Sequence, residues 1–267
     1  MASDAPHRVR VVAHRGASAE APEHTLAAYR RALEAGADGL ECDVRLTADG
    51  HLVCVHDRTV DRTSDGRGVV STLELAQLDE LDFGAWRDGF EPPADPAYAD
   101  RRRVLTLERL LELVADAGRP VEVAIETKHP TRYAGLVERR VVEVLDRFGW
   151  AHPRLGNPSP VRVMSFSWLS LRRMRSLAPS VAVVYLMERV PLRLRDGTLP
   201  AGVRIAGPSI DVVRAHPHYV ERARSHGNEV HVWTVDDPDD VRRCLDLGVD
   251  AIITNRPADV LRELAAR

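Results

Sequence analysis

Residues 11–25 read Val-Val-Ala-His-Arg-Gly-Ala-Ser-Ala-Glu-Ala-Pro-Glu-His-Thr. An apolar, β-branched run ends on two basic side chains, His14 and Arg15, then turns at Gly16 and enters a helix start near Thr25. A short apolar strand feeding an amphipathic helix is the repeating unit of a parallel sheet. The same pattern recurs outward from it. Apolar runs at 10–13, 39–45, 121–126, 161–166, 181–186, 203–206, 229–235 and 251–254 predict eight strands. Helical periodicity lies between them at 25–34, 106–117, 132–148, 169–177, 219–225, 239–247 and 258–265, while 188–202 carries two prolines and gives the weakest helix signal. Eight such units in a chain of 267 residues fit an α/β fold of one TIM barrel, with a doubly wound sheet as the alternative.

Two parts break the alternation. Residues 52–56 form an extra strand signal joined to strand two by Thr47-Ala48-Asp49-Gly50, whose Asp-Gly predicts a hairpin folding back beside that strand. Residues 57–105 then form an insertion rich in Asp, Arg, Gly and Pro, with one helix that Ser71-Thr72-Leu73-Glu74 would cap. The expectation is one domain over 1–267 with 57–105 as an inserted cap.

Composition narrows the function classes. A net charge of −3 with 29% charged residues and no long basic run argues against a nucleic-acid partner. No apolar stretch approaches the roughly 18 residues of a membrane span, and MASDAPHRVR lacks a hydrophobic signal core, so a cytoplasmic protein without stable membrane insertion is expected. Cys42, Cys54 and Cys244 are scattered and odd in number, which points to buried reduced thiols rather than a disulfide framework or zinc cluster. Nothing in the sequence sets an oligomeric state. Lys128 is the only lysine in the chain.

Catalytic residues of a TIM barrel collect at the carboxyl ends of its strands. His14 and Arg15 end strand one, and Glu41 and Asp43 in strand two share a face because strand side chains alternate. Cys42 between them suits the helix-facing side, which favours inward carboxylates. Glu126 and Lys128 end strand three, Phe166 strand four and Trp233 strand seven; Thr254 and Asn255 close strand eight, and His56 ends the hairpin. Each has a bland alternative: a strand-end histidine that only fixes a loop, His56-Asp57 as a turn start, a solvated acidic pair, a surface lysine, an aromatic in the core.

Together, His14-Arg15-Gly16, Pro22-Glu23-His24-Thr25, Glu41-Cys42-Asp43-Val44, Thr47-Ala48-Asp49-Gly50, Val53-Cys54-Val55-His56-Asp57 and Glu126-Thr127-Lys128 resemble the glycerophosphodiester phosphodiesterase family. Val232-Trp233-Thr234-Val235 and Gly248-Val249-Asp250-Ala251-Ile252-Ile253-Thr254 extend the resemblance over most of the chain. It implies a TIM barrel, a divalent metal and cleavage of small-molecule glycerophosphodiesters to glycerol 3-phosphate and an alcohol. Two positions depart from the family pattern: His24, where Asn is usual, and Asn255, where an acid is frequent.

The candidate roles follow from residue chemistry. Glu41, Asp43 and Glu126 make an oxygen-rich site suited to one Mg²⁺, Ca²⁺ or Mn²⁺. Arg15 and Lys128 would clamp phosphate charge. His14 and His56 are the expected acid and base, in either order. Direct attack by water and attack by the glycerol 2-hydroxyl through a cyclic phosphate both fit. Trp233 and Phe166 are candidates for packing the glycerol backbone. Competing readings are a lysophospholipase D or related barrel phospholipase, and a non-catalytic phosphate-binding barrel; the six expected residues being present argues against the latter.

Overall fold

Each apolar run becomes a strand, and adjacent strands pair in parallel until the sheet closes on itself. The computed structural model describes residues 8–87, 103–131, 135–154 and 156–267. Within them the elements run β1 (Arg10–His14), α1 (Leu26–Glu34), β2 (Gly39–Leu46), β3 (Leu52–Cys54), α2 (Leu75–Asp79), α3 (Leu107–Ala115), β4 (Glu122–Thr127), α4 (Leu136–Arg147), β5 (Val161–Ser165) and α5 (Trp168–Leu177). They continue with β6 (Ala182–Met187), β7 (Ile205–Pro208), α6 (Ile210–Ala215), α7 (His218–Ser225), β8 (Glu229–Val232), α8 (Pro238–Asp246), β9 (Ala251–Thr254) and α9 (Pro257–Ala265). The order β1-β9-β8-β7-β6-β5-β4-β2 is closed by parallel pairing of β1 with β2, giving a TIM barrel rather than a doubly wound sheet.

β3 stands outside this ring. It pairs antiparallel with β2, matching Val44 to Cys54, as the Asp-Gly turn predicts. Its other side meets the chain leaving the insertion: Val53 bridges Thr106, and the Cys54 amide donates to the Leu105 carbonyl at 2.7 Å.

Alternation along the strands sorts the barrel interior into layers. On β1, Arg10, Val12 and His14 share the inward face, while Val11 and Ala13 pack outward against the helices. The middle layer is apolar: Val12, Ala124, Met164, Val184, Ile205 and Ile253 belong to one buried cluster. The floor is charged, with Arg10 bonded to Glu122, Glu229 and His231, and Arg162 paired with Glu122. The top layer holds the strand-end residues of the mouth. Cys42 lies in the outer core, so Glu41 and Asp43 point inward.

Several expectations shift. Strand 161–166 ends at Ser165 and strand 229–235 at Val232, which leaves Phe166 and Trp233 one residue past their strands; strand 203–206 slides to Ile205–Pro208. The helix in the insertion starts later than Ser71-Thr72-Leu73-Glu74 suggested. Val70–Thr72 form a 3₁₀ turn, the Thr72 amide and hydroxyl both donating to the Val69 carbonyl, and Glu74 with Gln77 makes the capping box instead. Residues 188–202 give only a 3₁₀ turn at Leu192–Leu194, bounded by Pro191. The short α6, capped by Ser209, was not foreseen. The helix expected over 132–148 begins at Leu136 after Gly135, whose φ of 83° no β-carbon favours; residues 132–134, like 88–102 of the insertion, lie outside the described residues.

Around the described part of the insertion, Val60, Val70, Leu78 and Phe83 pack on Val53 and Val55. Arg87 reaches across to the carbonyls of Ser18 and Ala21 at 2.6 and 3.0 Å, tying the insertion to the loop after β1. Among the described residues no helix is long and apolar enough to cross a membrane, and Cys42, Cys54 and Cys244 are buried and free.

Candidate active site

The loop after β1 sets the first half of the site. Gly16, at φ 84°, approaches α1 so closely that an added β-carbon would sit 2.6 Å from the Ala28 carbonyl carbon. Arg15, just before it, stands in the left-handed region at φ 56°, costly for a residue with a side chain. Its amide donates to both the Glu41 carbonyl (3.1 Å) and Glu41 Oε2 (3.0 Å). Its guanidinium then reaches Asp43 Oδ2 through Nε (3.1 Å) and Glu23 through Nη1 (3.0 Å).

β2 and β4 bring the carboxylates together. Glu41, Asp43 and Glu126 are buried, with one oxygen from each within 4.8 Å of the others. Lys128 Nζ lies 3.1 Å from Asp43 Oδ1 and 2.8 Å from Glu126 Oε1. Burial and then the Asp43 charge push Glu41 well above the usual carboxylate range and Glu126 up to about 8. Asp43 is held well below its ordinary value: burial opposes this, but the bond from His24 and the charges of Lys128 and Arg15 outweigh it. Three crowded acids thus share too little positive charge. Asp43 Oδ1 is also buried without a hydrogen bond of acceptable geometry. An all-oxygen donor set with an under-bonded buried oxygen fits a hard divalent cation.

The two histidines are held differently. His14 Nδ1 lies 2.7 Å from Asn255 Oδ1, and its Nε2 lies 3.9 Å from Glu41 Oε2. Asn255 is itself oriented, since its Nδ2 and amide donate to Asp236 at 2.6 and 2.8 Å while Oδ1 also accepts from Ser18. An amide oxygen only accepts, so the His14 proton sits on Nδ1 and Nε2 presents a lone pair. Burial, then Arg15, pushes His14 down to about 4. His56 Nδ1 instead lies 2.7 Å from the Asp57 carboxylate. Burial lowers His56 too, with Asp43 and Asp57 pulling upward. Arg45, two residues beyond Asp43 on the same face, clasps the His56 carbonyl from Nε (3.0 Å) and Nη2 (2.7 Å).

A chain of alternating charge joins both halves. Asp57 binds Arg62 Nε at 2.6 Å, Arg62 binds Glu23 through both terminal nitrogens (2.9 and 2.7 Å), and Glu23 binds Arg15. Despite their burial, Arg62 holds Glu23 and Asp57 down to about 2. Arg62 carried no signal in the sequence. Glu23 and Asp57 stood inside recognised motifs without roles, and Asp236, just past β8, was overlooked though its strand-end position marks it.

His24 occupies the unusual position of the loop with φ 59° and is buried. Its Nε2 lies 2.9 Å from Asp43 Oδ2 and its Nδ1 2.9 Å from the Tyr29 hydroxyl, which donates to the Glu41 carbonyl. Asp43, a carboxylate, accepts from Nε2, while burial lowers the His24 imidazole against the pull of Asp43. His24 therefore braces Asp43 from behind.

The structure thus gathers His14, Arg15, Glu41, Asp43, Glu126 and Lys128 in direct contact, with His56 joined through Asp57, Arg62 and Glu23. Phe166 and Trp233 form their own edge-to-face pair across the mouth, centroids 5.4 Å apart, with Trp233 Nε1 donating to the Gly207 carbonyl at 2.7 Å. Phe166 is 43% exposed, so it is a mouth residue rather than core.

Comparison with known proteins matches residues 14–259 to the "Glycerophosphoryl diester phosphodiesterase family". The "Probable glycerophosphodiester phosphodiesterase 1" of Mycobacterium tuberculosis is 49% identical over 248 residues, covering 92% of this chain and 89% of that one. The glycerophosphodiester phosphodiesterase of Bacillus subtilis is 35% identical, covering 94% and 85%. Among solved structures, a phosphodiesterase from Oleispira antarctica in complex with the product sn-glycerol-3-phosphate is 25% identical with a TM-score of 0.78, covering 96% of each chain. A glycerophosphodiester phosphodiesterase from Agrobacterium tumefaciens is 28% identical with a TM-score of 0.75, covering 97% of this chain and 100% of that one.

Proposed function

The chain belongs to the glycerophosphoryl diester phosphodiesterase family and is a glycerophosphodiester phosphodiesterase, and from this we propose a metal-dependent hydrolysis to sn-glycerol 3-phosphate and an alcohol, run by two histidines. The carrying observation is the buried triad Glu41, Asp43 and Glu126, flanked by two cations and by His14 and His56. A divalent ion (Mg²⁺, Ca²⁺ or Mn²⁺) held by that triad would act as a Lewis acid on a phosphate oxygen.

The residues of the chain divide the remaining work. Arg15 and Lys128, already oriented by the carboxylates, hold the phosphodiester charge, the first by its fork and the second as a point charge. His56 serves as general base: Asp57 accepts its Nδ1 proton and stabilises the imidazolium that forms when Nε2 takes a proton from the attacking hydroxyl. His14 serves the leaving oxygen. Its partner Asn255 is neutral, so it holds a proton on Nε2 only with the phosphate charge beside it and gives that proton up as the alcohol departs. Phe166 and Trp233 pack the glycerol and exclude water, and the described part of the insertion acts as a cap that carries Asp57 and Arg62. Free buried cysteines fit a reducing, cytoplasmic setting.

The test is release of sn-glycerol 3-phosphate from glycerophosphocholine and glycerophosphoethanolamine with each metal, with chelator, and in His14→Ala. Metal-dependent release lost in both controls supports the assignment. Absence of release from folded protein with every metal refutes it.

A further inference from the structure

A cavity of about 540 Å³ opens beside the site between the β2–β3 hairpin, the insertion and the end of β4, a volume suited to a small ligand. Its walls include Arg45, Arg58, Lys128 and His129 over an apolar base of Leu46 and Val137, and no Asp or Glu lines it among the described residues. The charge on these walls is unevenly matched. Lys128 is paired with Asp43 and Glu126, and His129 faces Glu138 at 3.2 Å. Arg45 has only the His56 carbonyl, and neither it nor Arg58 has a carboxylate partner among the described residues.

Position tells which part of the substrate enters. Arg45 continues the inward row Glu41, Asp43 of β2, so it stands about 7 Å further out than Asp43 at two residues of strand rise. Phe166 and Trp233, proposed above to pack the glycerol, stand just past β5 and β8, two and three strands round the ring from β2, and meet each other edge to face. With the phosphate at Arg15 and Lys128 between them, the cavity receives the alcohol.

We propose that this cavity is the leaving-alcohol subsite and that Arg45 and Arg58 select diesters whose alcohol carries an anionic group of its own, such as a second phosphate. The inference rests on the reaction assigned above. A cationic head such as choline meets two unmatched guanidinium groups there; an anionic one supplies the missing charge, and the arginine fork suits a phosphate.

A matched pair of substrates tests it: glycerophosphoinositol and glycerophosphoinositol 4-phosphate, identical but for one phosphate on the alcohol. The measurement is kcat/KM for each in the native enzyme, Arg58→Gln and Arg45→Gln, with the metal that supports activity. The expected native preference for the phosphorylated substrate is tenfold or more, and Arg58→Gln cuts that ratio by about tenfold, the worth of one charged hydrogen bond. Arg58 is exposed, so its variant folds whatever becomes of Arg45→Gln. Equal values for both substrates in the native enzyme overturn the proposal while leaving the hydrolysis itself intact. A preference that survives both substitutions overturns the assignment to this cavity. Cleavage of neither substrate, nor of glycerophosphocholine, takes down the assigned reaction and this subsite with it.

Discussion

Replacing Asp57 by Asn keeps an acceptor of the same shape beside His56 and removes only the charge. In the native protein Asp57 Oδ1 lies 2.7 Å from His56 Nδ1. When His56 takes a proton, that contact becomes a hydrogen bond between two ions. Hydrogen bonds to charged groups contribute about 1.5–3 kcal/mol, and each 1.36 kcal/mol is a factor of about ten in rate. Asp57→Asn should therefore lower kcat/KM by roughly 10- to 150-fold. The sign of the pH effect follows as well. Asp57 raises the His56 imidazole, so its loss lowers that value and moves the acid limb of kcat/KM to lower pH, because the base works when neutral. Initial rates of sn-glycerol 3-phosphate release from pH 5 to 9, with a melting curve to verify folding, measure both. Arg62→Gln should cost less, since Arg62 anchors Asp57 without touching His56. A loss below threefold in folded Asp57→Asn, or an acid limb that moves upward, would refute the role given to His56.

Other perturbations separate the remaining parts. His14→Ala should lose about 10²–10⁴ in rate on glycerophosphocholine and far less on a p-nitrophenyl diester, whose leaving group departs without a proton; rescue of His56→Ala instead would reverse the two roles. His24→Asn, which restores the residue usual in the family and can still donate to Asp43, should stay within about fivefold of native activity, whereas His24→Leu leaves Asp43 without that donor and should lose about tenfold or more. Glu138 on α4 is fully buried and, though burial opposes it, is held down to about 2 by His129. Its folded-state value lies below its unfolded one, so its stabilisation is present above about pH 4.5 and is lost as pH falls toward 2. The stability gap between native protein and Glu138→Gln, followed by urea melts, should therefore shrink over that window; a gap constant with pH would contradict the assignment.

What the sequence disclosed depended on distance along the chain. His14, Glu41, Asp43 and Glu126 were legible because a strand repeats every two residues: once Cys42 faces the helices, its neighbours face the barrel axis. Lys128 was legible as the only lysine beside a strand-end acid. Arg62 was not, because its value comes from meeting Glu23, 39 residues away, across two loops whose courses no local pattern encodes. Asn255 and His24 were visible as departures, yet their work emerged only with their partners Asp236 and Tyr29 in place. The six-residue α6 is too short for helical periodicity to register. The capping signal at 71–74 was displaced three residues by a tighter turn that a sequence pattern does not distinguish from a helix start.

The strand β3 lies between β2 and the returning chain, with Val53 bridged to Thr106 and Cys54 bonded to Leu105. The two ends of the insertion are therefore clamped side by side before anything is built between them. Lengthening or exchanging the loop then adds little closure entropy, which grows only slowly with loop length. A chimaera that takes 57–105 from a relative would keep every strand of the ring and its floor, and would replace positions 57, 58 and 62 in one piece. With the subsite proposed above, such an exchange would move substrate choice while the barrel stays constant.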